Sequence, residues 1–105
     1  MDHRDVLRRL AISGADPGGD DPVFAVAALD AKTLALVKLA ALIAMGGAGP
    51  SYDEAADAAI SAGATVAEIV DVLVGVLVVV GQPRVVAAAP QVGMVLGYDT
   101  DQSPE

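Results

Sequence analysis

An all-α fold is what this sequence predicts, and three observations predict it. Helix-start signals recur: Ser51 with Glu54 and Thr65 with Glu68 each match the pattern in which a hydroxyl caps the first turn and an acid three residues on reaches back. Glycines follow the apolar segments where helices stop, at Gly46-Gly47 and at Gly63. The β-branched run from Val72 to Val80 has no second strand-like run to pair with, and an unpaired strand leaves its backbone groups unsatisfied.

Each element follows from local chemistry. Residues 2–12 form an amphipathic helix candidate, with Val6, Leu7, Leu10 and Ala11 on one side and charges opposite. Residues 13–22 read as an exposed linker, broken by Gly14, Pro17, Gly18, Gly19 and Pro22. Phe24 and Val26 are expected to anchor the turn that follows. Asp30 suits the N-cap of a helix from 31 to about 45. A second helix is expected to start at Ser51 and end at Gly63, and a third to start at Thr65. The third has strong strand propensity through its valines. Its cap at Thr65, its span of about 16 residues and the missing strand partner decide for helix. Apolar nearly all round, it is expected to be buried on every side, with Gly75 admitting a neighbouring helix closely. Pro83 fits the first turn of a last helix, and Pro90 is expected to kink or interrupt that helix before 92–96. The organisation expected is a helix and linker over 1–28, a helical domain over 29–98 and a disordered polar tail over 99–105, without internal repeat.

Composition narrows the function. The chain has 105 residues, 54% apolar with three aromatics: Phe24, Tyr52 and Tyr98. A domain this small has too much surface for its volume to hide so many Val, Ala and Leu residues in one copy. Homo-oligomerisation is the simplest cover. The two densest apolar runs, 69–80 and 34–45, each span 12 residues and carry Asp71 and Lys38. Both are short of the roughly 20 apolar residues of a membrane-spanning helix. The mixed-charge start has no apolar stretch of the kind a signal peptide needs, so no membrane and a cytoplasmic location are expected. A net charge of −8 without a basic cluster argues against nucleic acid. With no cysteine and one histidine, His3, neither disulfide, thiolate chemistry nor an ordinary zinc site is expected, and no cofactor is implied.

Three stretches in order, Leu29-Asp30-Ala31-Lys32-Thr33, then Ala62-Gly63-Ala64-Thr65 before Glu68-Ile69, then Gly81-Gln82-Pro83, carry a family likeness. The region from 29 to about 89 resembles the carboxymuconolactone decarboxylase and alkylhydroperoxidase D-like family. That resemblance implies an antiparallel all-α helical fold in trimers or hexamers. Its peroxidase members carry Cys-x-x-Cys-x-x-x-His at the start of the second helix and a glutamate upstream. Counted from Gly63 and Leu29, those positions fall here on Ala48, Ser51, Ala55 and Ala35, and a one-residue gap would shift some of them to Gly47, Pro50 or Leu36. A thiol peroxidase is excluded, because no thiolate can form. Decarboxylase members keep the histidine, which this chain also lacks.

The candidates that remain are Lys38 and Glu54 for proton transfer, and Ser51, Tyr52 and Arg84 for ligand binding. Each has a plainer reading. Capping explains Ser51 and Glu54, packing explains Tyr52, and a surface cation on an acidic protein explains Arg84. Lys38 either extends to solvent with its stem packed, or is desolvated or paired with Asp71 or Glu54 in a buried site. Arg84, with its planar fork, suits a carboxylate. Two functions are consistent with these residues. One is a small-molecule-binding or assembly subunit without the thiol machinery. The alternative is a cofactor-free lyase or isomerase acting on a small organic acid or lactone.

Overall fold

A computed structural model describes residues 2–15, 20–25 and 28–98. Among these the chain is helical throughout: α1 (His3–Ile12), a 3₁₀ turn (Pro22–Ala25), α2 (Ala31–Met45), α3 (Gly49–Ser61), α4 (Val66–Val80) and α5 (Gln82–Val95). It divides into two compact units, 1–30 and 31–105.

In the first unit, Asp2 caps α1 by accepting from the amide of Asp5 at 2.8 Å. Arg9 pairs with Asp21, whose other oxygen takes the amide of Val23 at 3.1 Å. Val23, not Phe24, is the buried residue of the 3₁₀ turn; Phe24 is about half exposed. Val26, expected to share that role, lies outside the described residues.

In the second unit α2 is central, packing on α3, α4 and α5, and α5 also touches α3 and α4. Leu39 and Ile43 of α2, Ile69 of α4 and Val92 of α5 form a fully buried core. Ala59 and Ala88 bring α3 and α5 close to it, since a methyl group allows near approach of helices.

α4 starts as its sequence specifies. Thr65 Oγ1 accepts from the amide of Glu68 at 3.1 Å, and Glu68 Oε1 accepts from the amide of Thr65 at 2.9 Å. Glu68 Oε2 also meets Lys32 Nζ at 3.0 Å, which ties the start of α2 to the start of α4. Chiefly the Thr65 amide, and next the Lys32 ammonium, hold the Glu68 carboxyl below its ordinary 4.5. A lowered native value means that stabilisation is complete above the ordinary carboxylate range and disappears as the pH falls through the native value. Glu68→Gln is therefore expected to lower the thermal midpoint at neutral pH. The gap to the parent should close on acidification through that range, as followed by circular dichroism melts across pH.

Four expectations are corrected. α3 begins at Gly49 with Ala48 as an N-cap that offers no side-chain bond, so the Ser51–Glu54 box does not form. Pro50 is the reason: its fixed φ and missing N–H suit the first helical turn, which places Ser51 inside the helix. α4 is not buried all round; Val74, Val78 and Val79 are 53%, 82% and 83% exposed. Gly75 has no atom within 4 Å of where its Cβ would stand, so no helix of this chain approaches it. Pro90 does not interrupt α5, which runs on to Val95. The carbonyl deprived of its partner belongs to Val86 on the exposed side, while buried Val92 anchors the next turn. The tail expected over 99–105 lies outside the described residues.

Candidate functional site

The second and third helices face each other through matched stripes. α2 contributes Ala31, Leu34, Ala35, Lys38 and Leu42; α3 and its cap contribute Ser51, Glu54, Ala55, Ala58 and Ala62. Both sets follow the same i, i+3, i+4, i+7, i+11 spacing, which is one face of a helix. Alanines are too small to fill the space between the helices, and a cavity of about 580 Å³ results. That volume is in the usual range for small-molecule sites.

Lys38, Ser51 and Glu54 are the polar residues of this cavity, and the rest of its lining is aliphatic. Lys38 and Glu54 are exposed, and Ser51 is half-buried. Among the described residues no ion pair joins Lys38 to Glu54 or to Asp71, so the buried pair considered for Lys38 is absent. Asp71 is exposed on α4 and does not line the cavity. With the capping box unformed, Ser51 and Glu54 have no side-chain bond among the described residues that accounts for them.

Tyr52 and Arg84 stand elsewhere. They line a second cavity of about 550 Å³, formed by the α2–α3 loop and α5. Consecutive residues of a helix diverge by about 100°, so α3 directs Ser51 to one cavity and Tyr52 to the other. The five candidates thus separate into Lys38, Ser51 and Glu54 at one site and Tyr52 and Arg84 at another. Gln91, on the second cavity, was not foreseen; a glutamine in the middle of a helix gives no sequence signal. The alanine stripes were legible in principle, since five alanines share one helical spacing across two segments.

A third concavity, about 490 Å³ and wholly apolar in its residues, runs between α2 and α4, from Val37 and Ala41 to Gly75 and Val79. Among the described residues, no helix is long and apolar enough to cross a membrane, and no three His, Cys, Asp or Glu side chains converge as metal ligands would.

The positions that the family pattern assigns to glutamate, second cysteine and histidine are Ala35, Ser51 and Ala55, and all three line the α2–α3 cavity. Ala48, the first cysteine position, is the N-cap of α3. The cavity holds neither thiol nor imidazole. No curated protein and no solved structure matches the chain. The model of the carboxymuconolactone decarboxylase family matches residues 20–92. On that match, which spans most of the sequence and all of α2, α3 and α4, the chain belongs to the carboxymuconolactone decarboxylase family.

Proposed function

We propose that this chain is a self-assembling member of the family that binds a small organic molecule in its α2–α3 cavity and performs no thiol chemistry. The observation that carries the assembly is the outer face of α4. Val78 and Val79 are more than four-fifths exposed, and next to them the α2–α4 groove is lined by aliphatic residues alone. Exposed apolar surface of this continuity favours an interface, and the uncharged stretch 72–80 of a second copy is a suitable cover. Trimers or hexamers are the states proposed.

Light scattering on the eluting protein tests this. The parent should run as one discrete multiple of the 10.5 kDa chain. A Val78→Asp, Val79→Asp double variant should dissociate at least about 100-fold more readily, because unpaired carboxylates would enter an apolar interface. Both sites are exposed in the single chain, so the variant should still fold, with unchanged helical circular dichroism. A parent that stays monomeric at micromolar concentration would end this reading.

One observation favours the lyase or isomerase alternative: Lys38 and Glu54, a cation and an acid, line the same cavity. Proton transfer gains most where water is excluded, and both groups are open to solvent. Binding is the better-supported role for the cavity.

A further inference from the structure

The second cavity is built for a different ligand. Eight residues line it: three glycines of the α2–α3 loop and α3 start, with Tyr52, Pro83, Arg84, Ala87 and Gln91. Arg84 is the one charged group among them. It stands in the first turn of α5, where the helix dipole disfavours a cation and where no acid is present. Although the chain carries a net charge of −8, Arg84 forms no ion pair among the described residues. Helix chemistry therefore does not account for its position, and no internal carboxylate does.

Arg84, an exposed residue, leans on the loop. Its guanidinium lies against Gly46, close enough that a Cβ there would collide with Nη1. Gln91 reaches over Gly49, whose Cβ would come within 3.3 Å of Oε1. Glycine at both positions leaves loop backbone bare beneath two polar side chains. α3 has no side-chain cap, so the amide of Gly49 on the rim is free.

Tyr52 supplies the independent indication. It is 3% exposed, and its hydroxyl forms no hydrogen bond among the described residues. Among the described residues no side-chain oxygen or nitrogen is both sealed and unpartnered, so the Tyr52 hydroxyl keeps some open surface, and Tyr52 is on the wall of this cavity. A buried ring that keeps its hydroxyl open, beside a guanidinium without a counter-ion, is a pair of donors that a carboxylate can take in place of water.

We propose that this cavity binds the carboxylate of a small organic acid. The Arg84 fork takes the two oxygens, the Tyr52 hydroxyl and the Gln91 amide donate from the sides, and Pro83 and Ala87 receive the hydrocarbon part. The site is distinct from the α2–α3 cavity and does not rest on the assembly reading.

The test is a titration followed by amide NMR on the full chain, with benzoate, its neutral counterpart benzamide and inorganic phosphate as probes. Benzoate should shift the Gly46, Gly47, Gly49 and Gln91 signals saturably. Benzamide should bind at least about tenfold more weakly, because it offers no charge to the fork. Arg84→Gln should weaken benzoate by about tenfold or more, Arg84→Lys should recover part of that loss, and Tyr52→Phe should weaken it about threefold. Arg84 is exposed, and Arg84→Lys serves if the glutamine variant fails to fold. Equal binding of benzamide would show a merely apolar cleft, and phosphate binding as tight as benzoate would show a general oxyanion cradle. Either result overturns the proposal, as does benzoate binding indifferent to Arg84. Light scattering on the same samples reports the assembly state, so failure there is separately visible.

Discussion

Ile69→Ala should lower the stability of the chain by about 2–5 kcal/mol, the range for truncating a fully buried aliphatic residue. Ile69 has no exposed surface and lies with Leu39, Ile43 and Val92 in the shared core of α2, α4 and α5. Its amide donates to the Thr65 carbonyl at 3.1 Å, a backbone bond that alanine keeps, so the expected loss is one of packing. No neighbouring side chain can refill the space without leaving its own packing. Urea unfolding at one fixed protein concentration measures the effect, since the assembly proposed above would make stability depend on concentration. A change below about 1 kcal/mol would show that the core is loosely packed around this position.

Gly46→Ala should act twice. Gly46 has φ +75°, a left-handed conformation costing a residue with a Cβ about 1–2 kcal/mol. The added methyl would also displace the Arg84 guanidinium, which can swing outward only by leaving the loop. Stability should therefore fall by about 1–2 kcal/mol, and benzoate binding should weaken about as much as in Arg84→Gln. Gly63 provides the comparison. It has φ +99° with nothing within 4 Å of its would-be Cβ. Gly63→Ala should carry the backbone cost alone and leave the benzoate titration as in the parent. Equal effects of the two substitutions on binding would mean that the Arg84 contact with the loop is not what positions the guanidinium.

Much of the fold was legible in the sequence, because its signals are local. The Thr65–Glu68 box, the stops at Gly46 and Gly63 and the first-turn Pro83 act over three or four residues and need no partner. The errors have equally particular causes. The start of α3 was misread because two local signals compete, and Pro50 prevails over Ser51. The sequence of α4 states how apolar the helix is but not which of its faces the chain itself covers. Pro90 failed to end α5 because Val92, two residues on, is held by tertiary packing that no local rule includes. The candidate site was legible in its residue types but not in its grouping. Lys38, Ser51 and Glu54 share one cavity and Tyr52 and Arg84 another, a division set by the rotation of α3 between Ser51 and Tyr52.

The valines of α4 also bear on how the chain reaches its folded state. Residues 72–80 contain no proline and no charge, and six of the nine are valine, a residue of high β-propensity. Before α4 is coiled, that segment has the composition of a cross-β spine, and Asp71 and Pro83 are the nearest breakers on either side. Fast closure of the Thr65 turn is thus a safeguard against fibril growth as well as a source of stability. Newly made chains that have not yet coiled this segment are the ones most exposed to that hazard.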